Sequence, residues 1–307
     1  MCEAVRNLAK MPARVMALAG VTFTQLLRMR LFLVLLVFAA GFMALQFLPY
    51  HGQLGVETRG LYQMQLIKDV ALGCMQMIGL IFCVGATALL IPRDAEDRIL
   101  YTILSKPVPR FEYLLGKLLG VWFVLLLMML LMDAMLVAVL YFREASICAE
   151  LTENLTRQGA TPEQMQPYLA QVSAASNSWN MQRGIIAMFL GFGVLTGLTL
   201  LCSTFTSGTI VSMIFGLGGY FVGTFQHQLF AGINTGMGAD GTGVLMRWVE
   251  LLTAVLLPDF SIFSVSDAAS GGTELGWGML GGLVLIALAY MLFHLLVSTY
   301  IFSRKEF

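Results

Sequence analysis

Residues 113–142 form the run YLLGKLLGVWFVLLLMMLLMDAMLVAVLYF, in which Lys117 and Asp133 are the only charged side chains. A helix needs about 20 mostly apolar residues to cross the hydrocarbon core of a bilayer. This run is longer than that, and it stops at Arg143-Glu144. The stretch therefore predicts a membrane-spanning helix.

The composition of the whole chain agrees with this prediction. Of its 307 residues, 58% are hydrophobic and 12% are charged, which is about half the charged share of a typical globular protein. The mean hydropathy is +0.80. Such a chain cannot cover its surface with polar groups in water, which excludes a soluble enzyme, a disordered scaffold and a nucleic-acid binder. The 18 basic and 18 acidic residues cancel, so net charge indicates no partner.

The other apolar runs predict one transmembrane domain over residues 1–307. We expect an all-α integral membrane protein with six transmembrane helices, at 31–48, 70–91, 113–142, 184–205, 209–226 and 275–302. The second of these spans is expected to stop at Pro92-Arg93-Asp94. The first is longer than the apolar core of a signal peptide, so we expect it to remain in the mature chain.

The distribution of Lys and Arg predicts that both termini lie in the cytoplasm. With that orientation, 12 of the 18 basic residues fall in the shorter inside segments. The outside loops are then 49–69, 143–183 and 228–274, and the inside holds a turn at 206–208 and a loop at 92–112. Thr161-Pro162-Glu163-Gln164 predicts a helix start within 143–183, and the glycines of 228–246 predict an irregular loop.

No motif of a known catalytic site is present. Gly116-Lys117 is followed by Leu118, so it is not the nucleotide-binding Walker A sequence. His51, His227 and His294 lie on or beside separate spans without metal-ligand spacing, so we expect no metal site and no cofactor bound by this chain. We therefore expect a protein that is not itself an enzyme.

Two features inside the predicted spans suggest local roles. Asp133 is the one acidic residue deep within a predicted span, and a carboxyl group at such a position suggests a functional site. The alternative is a structural role, with the carboxyl group hydrogen-bonded to a neighbouring Ser or Thr. Gly216, Gly219 and Gly223 lie on the fifth span. Glycines at such spacings let helix backbones approach closely, within one chain or across a dimer.

The inside loop carries the strongest signal. Four apolar residues recur at helical spacing: Ile99, Leu100, Ile103 and Leu104. Three acids precede them, where the dipole of a helix favours negative charge: Asp94, Glu96 and Asp97. Pro107 and Pro109 end the pattern. A short amphipathic helix of this kind suits docking into a groove of a soluble partner, or lying in the lipid headgroup region.

At this loop the chain resembles permease subunits of ABC transporters of the type-2 exporter class. The matching stretch is EDRILYTILSKPVPRFEYLLGKLLG, residues 96–120. Residues 12–30 resemble the interfacial helix before the first span of that family. Leu201–Ile210, Leu256–Phe263 and the tail FSRKEF also resemble family segments, so the resemblance extends over nearly the whole chain.

The resemblance implies a membrane-spanning permease of the bacterial cytoplasmic (inner) membrane that acts in export. Two permeases, two copies or one copy and a homologue, would form the pathway, and separate ATPase subunits would bind ATP and Mg. A periplasmic accessory protein is a further candidate partner of 143–183. The residues implied to couple to the ATPase are Glu96, Asp97, Arg98, Ile99, Leu100, Ile103, Leu104, Lys106 and Arg110. Lys106, Arg110 and Lys117 would set the loop against anionic headgroups or the partner.

Two other functions remain open at this point. One is an integral-membrane enzyme acting on lipid through Asp133 or the outer histidines. The other is an assembly factor that recruits periplasmic partners without transport.

Overall fold

The described part of the chain is built from helices and turns. The structure is a computed structural model that describes residues 2–47, 56–96, 109–176, 179–206, 208–236, 248, 257–264 and 276–304, with backbone alone at 2–10, 56–59, 95–96 and 227–236. In chain order the helices are α1 (Cys2–Leu27), α2 (Arg30–Leu45), α3 (Val56–Glu96), α4 (Arg110–Arg157), α5 (Pro162–Ser176), α6 (Trp179–Phe205), α7 (Thr209–Gly236), a 3-10 turn (Phe260–Phe263) and α8 (Trp277–Arg304).

The length and apolarity of these helices are those of a multi-pass membrane protein. Five stretches in the described ranges are long and apolar enough to cross a bilayer, within α3, α4, α5–α6, α7 and α8. A sixth exists if α1 and α2, which meet at a bend of 61°, count as one span. With 16 residues, α2 alone is about 24 Å long, which is shorter than the hydrocarbon core.

Helix α6 lies at the centre of the bundle. It packs against α3, α4, α7, α8 and the 3-10 turn. Of its apolar window 89% is buried, against 22% for α7. Glycines of α6 make room for large side chains from three directions: Gly191 faces Phe263, Gly193 faces Trp122 and Gly197 faces His294. Because a side chain at these positions would occupy the same space, the glycines allow a helix to be surrounded on all sides.

The end of α4 and α5 form a hairpin whose turn is set by local sequence. Gly159 has φ +78°, and the amides of Gly159 and Ala160 donate to the carbonyls of Thr156 and Leu155, which is the Schellman pattern of helix termination. Gln164 then accepts a hydrogen bond from the Thr161 amide at 3.1 Å. The predicted start of a helix at Thr161–Gln164 is confirmed.

The hairpin also corrects the expected outside loop at 143–183. Helix α4 continues to Arg157, α5 occupies Pro162–Ser176 and α6 already begins at Trp179. Leu151 and Leu155 of α4 bury their side chains against Met165 of α5. The charged residues at 143–144 do not end the helix because this apolar stripe continues beyond them and gains a partner helix.

Helix α3 does not end at Pro92, although the apolar span within it ends at Asp94, inside the predicted stop at Pro92-Arg93-Asp94. Helix α3 runs from Val56 to Glu96 with Pro92 inside it. Proline removes one intrahelical hydrogen bond, but neighbouring helices can offset this loss in membrane proteins, and Pro92 is buried among them. The irregular loop expected at 228–246 is partly wrong, because α7 continues to Gly236; residues 237–246 lie outside the described residues.

The remaining predicted spans correspond to helices with shifted ends. The first begins and ends earlier than expected in α2, and the last lies within α8. The predicted helix at 12–30 corresponds to α1, which ends at Leu27. Its place at the membrane interface, and the cytoplasmic position of the termini, stay predictions.

Candidate functional site

The structure describes the base of the predicted coupling loop. Glu96 is the last residue of α3 and Arg110 the first of α4. The other coupling residues lie outside the described residues: Asp97, Arg98, Ile99, Leu100, Ile103, Leu104 and Lys106. We call 97–108 the linking segment. The amphipathic helix expected within it stays a prediction, and the site can be built from the two helices that hold its ends.

A buried ion pair joins these two helices. The Asp94 Oδ2 atom at the end of α3 lies 2.6 Å from Lys117 Nζ of α4, and the side chains are 1% and 4% exposed. The Tyr113 hydroxyl donates to the same Asp94 oxygen at 2.6 Å. Breaking such a pair on one side leaves an uncompensated buried charge. The ends of the linking segment are therefore held together by charge as well as by packing.

This arrangement corrects two predictions. Asp94 does not lie in the first turn of a helix, but in the last turns of α3, where the helix dipole disfavours a carboxylate. Lys117 offsets that cost from within the core, so it does not contact headgroups or a partner. The Asp94–Lys117 pair is not evident from the sequence, because the linking segment separates the two residues and only the packing of α3 on α4 brings them together.

Arg110 connects the same base to the end of α8. Its guanidinium donates to the carbonyl oxygens of Phe302 at 2.9 Å and Ser303 at 2.5 Å. The last carbonyls of a helix lack intrahelical partners, and a cation there is favourable. Tyr113 also stacks on Phe302, with ring centroids 5.9 Å apart. Arg110 thus binds the C-terminal end of α8, and its expected contact with headgroups or a partner stays a prediction.

Helix α1 packs lengthwise on the first turns of α4. Arg14 pairs with Glu112 at 3.5 Å, and further along Gly116 meets Leu18 and Gly120 meets Thr22. The contacts advance by four residues on both helices, so the two helices run parallel. A Cβ atom on Gly116 would lie 2.6 Å from Leu18 Cβ, and one on Gly120 would lie 2.5 Å from Thr22 Cβ. Only glycine permits this approach.

Sequence reasoning missed these two glycines as packing residues. The signal was present, because Gly116 and Gly120 form a Gly-x-x-x-Gly pair of the kind that brings helices together. What the pattern could not supply was the partner, which is α1. The base of the linking segment therefore joins four helices, α1, α3, α4 and α8, through Arg14–Glu112, Asp94–Lys117 and Arg110.

Asp133 lies apart from this base, farther along α4. It is half-buried and accepts a hydrogen bond from Gln182 Nε2 of α6 at 3.0 Å. The partner is a glutamine, where the sequence suggested a Ser or Thr. The pair ties α4 to α6, and it places a carboxyl group between two helices of the bundle.

The three glycines predicted on the fifth span lie against other parts of this chain. Gly216 faces Thr199 of α6 and Val84 of α3, and Gly219 faces Leu198. A Cβ atom on Gly223 would lie 2.5 Å from the backbone oxygen of Pro258. Their closest approaches are thus to α6, to α3 and to the residues before the 3-10 turn.

The described residues show no group of three His, Cys, Asp or Glu side chains that could hold a metal ion. His294 is buried in α8 beside Gly197. His51 and the side chain of His227 lie outside the described residues.

Comparison with known proteins gives no family assignment. No protein-family model matches the chain, and no curated protein matches its sequence.

Proposed function

We propose that this chain is the permease subunit of an ATP-driven ABC export complex of the type-2 class, in the bacterial cytoplasmic membrane with both termini inside. The single observation that supports it is the base of the linking segment. A loop that only connects two spans needs no buried ion pair and no clasp to other helices. Here the two ends of 97–108 are tied to α1, α3, α4 and α8.

The geometry suits transmission of a movement. An ATPase subunit bound to the linking segment would pull on Glu96 at the end of α3 and on Arg110 at the start of α4. Because Asp94 and Lys117 hold these ends together, the two helices would move as one unit. Arg14–Glu112 and the Arg110–α8 contacts would carry the displacement to α1 and α8. Coupling of this kind needs contiguous packed elements with two arrangements.

The proposal assigns the chemistry to other chains. ATP and Mg would be bound by ATPase subunits, and this chain would supply the pathway together with a second permease copy or a homologue. The outward face of α7 is a candidate for that contact, because Ile210, Ile214 and Phe215 are exposed there. The α4–α5 hairpin is the candidate surface for a periplasmic accessory protein.

The enzyme alternative has less support. Catalysis on a lipid requires several polar groups that converge on one point. Asp133 accepts a hydrogen bond from Gln182. A single carboxyl–amide pair of this kind can serve only to hold two helices together, without catalysis. No observation favours the assembly-factor alternative over transport.

The test is purification of the whole chain from its own host. The chain is expressed at native level, extracted in mild detergent, and its co-purifying proteins are identified by mass spectrometry. We expect a stoichiometric soluble subunit with a P-loop. In the variant Glu96→Lys/Asp97→Lys we expect at least about a tenfold loss of that subunit, since two reversed charges replace attraction with repulsion across the interface.

The matched control reverses two charges at the other end of the bundle. Glu153→Lys/Glu163→Lys changes two exposed acids of the hairpin and should retain the subunit. Absence of any ATPase from the unaltered chain would contradict the transporter proposal. An ATPase that is retained equally by all three proteins would leave transport standing and refute the role of Glu96 and Asp97.

A further inference from the structure

The bend between α1 and α2 forms an open, basic groove of about 770 Å³. Arg28, Arg30 and Arg93 line it together with Thr24 and Gln25. All three arginines are exposed, and no carboxylate is among the described residues that line the groove. Three guanidinium groups around one concave surface present the donor geometry that suits phosphate oxygens.

The groove borders an apolar surface that continues along α2. Arg30, Leu33, Val34 and Val37 share one face of this helix at i, i+3, i+4 and i+7. The three apolar side chains are 54%, 64% and 71% exposed. The stripe begins about one turn beyond Arg30, and Val37 at its far end lies about 10 Å along the helix axis from Arg30, at 1.5 Å per residue. A ligand that fits both parts has an anionic head and an apolar tail.

We propose that the groove at the α1–α2 bend, together with the apolar stripe on α2, is a binding site for an anionic phospholipid. We call this site the elbow. The phosphate lies among Arg28, Arg30 and Arg93, and an acyl chain runs along Leu33, Val34 and Val37. The amides at the start of α2 have no side-chain cap, since Met29 makes no capping hydrogen bond, and they add positive potential at the same place. The inference does not depend on the proposed transport function.

A bound headgroup would fix the angle between the two helices. Arg28 follows α1, Arg30 begins α2 and Arg93 belongs to α3. One phosphate that contacts all three would connect these helices where α1 and α2 bend by 61°. The lipid would thus be a specific structural ligand of the elbow, distinct from the bulk lipid that surrounds the bundle.

The test is lipid titration of the purified full chain in detergent, followed by native mass spectrometry. The probes are dioleoylphosphatidylglycerol and dioleoylphosphatidylcholine, which differ in net charge and share the same tails. We expect preferential binding of the phosphatidylglycerol. Each arginine near a phosphate contributes about a fivefold change in affinity, so Arg28→Gln/Arg30→Gln should weaken phosphatidylglycerol binding about 30-fold. Arg93 is left unchanged because its side chain also interacts with the protein itself, so a substitution there would change more than lipid binding.

The matched control is Arg157→Gln/Arg304→Gln, which removes the same charge from two exposed arginines elsewhere and should leave binding unchanged. Equal loss in both variants would mean a general charge effect and overturn the site, as would no loss in the first. Glycerol 1-phosphate, which has the head without tails, serves as competitor. If it displaces the lipid at equal concentration, the groove binds free phosphate and the lipid assignment fails.

A second variant keeps the proposal testable if Arg28→Gln/Arg30→Gln does not fold. Arg28→Lys/Arg30→Lys keeps both charges and loses the planar fork of the guanidinium. It should fold and retain the preference for phosphatidylglycerol with a smaller loss of affinity. Complete indifference of the unaltered chain to the lipid headgroup would overturn the proposal without any variant.

Discussion

The two ends of α4 are held in opposite ways. At its start, Lys117 and Tyr113 enclose the carboxylate of Asp94, and Arg110 clasps the last carbonyls of α8. At its far end, Leu151 and Leu155 pack on Met165, and the turn is closed by glycine and backbone hydrogen bonds. The first end depends on charges far apart in sequence, and the second on local signals and apolar contact.

The difference indicates what each end is for. Apolar packing and a capped turn are sufficient to stop a helix and reverse the chain, as the hairpin does. A buried ion pair adds little net stability over an apolar replacement, yet it is costly to break on one side. Its presence at the base of the linking segment therefore favours a role in keeping the end of α3 and the start of α4 together, and the proposed transmission from a partner would depend on that.

The largest expected effect comes from breaking the polar end. Lys117→Met should lower the free energy of unfolding by about 3–5 kcal/mol, because it leaves Asp94 as an unpaired buried charge. Unfolding of the purified chain in micelles by added SDS measures this. Arg157→Met is the control: it removes an exposed partner of Glu153, a pair with side chains 74% and 65% exposed, and should cost at most about 1 kcal/mol. Equal effects would contradict the ion-pair assignment.

A second substitution tests the apolar end. Leu155→Ala removes a buried side chain between α4 and α5, which should cost about 2–4 kcal/mol of hairpin stability. Hydrogen exchange of the α5 amides reports it, since the loss should be local. Leu130→Ala, on an exposed face of α4, serves as the control and should leave α5 protection unchanged. A uniform loss of protection through the bundle would show that the two ends are one cooperative unit.

The smallest effect concerns the turn itself. Gly159→Ala places a Cβ atom on a backbone with φ +78°, which should cost about 1–2 kcal/mol. The control is Gly73→Ala in α3, where a Cβ atom meets nothing within 4 Å. That change should be neutral or stabilising by up to about 1 kcal/mol. Thermal unfolding of the two variants side by side measures the difference, and a stabilised Gly159→Ala would refute the left-handed termination of α4.

Long-range contacts mark the limit of prediction from sequence. The capping residues at Thr161–Gln164 were predictable because their hydrogen bond joins residues three apart. Asp94 and Lys117 could not be paired in advance, since their contact requires α3 to continue through Pro92 and pack on α4. The hairpin is not evident from the sequence, because the charged residues at 143–144 predict the end of a helix that in the structure continues to Arg157.

The amino-acid sequence is sufficient to identify this chain as a helical membrane protein. The apolar runs, the low charge and the turn signals require helices that cross a membrane, because backbone groups in lipid must be satisfied within the helix. Which helices contact one another is evident only from the folded structure: α6 lies at the centre, α1 packs along Gly116 and Gly120, and four helices meet at the base of the linking segment. Hydrophobicity drives a helix into the bilayer, but it does not determine which other helix that helix packs against, because lipid tails are as apolar as leucine. That choice depends on small residues and buried polar pairs, whose partners become evident only once the chain is folded.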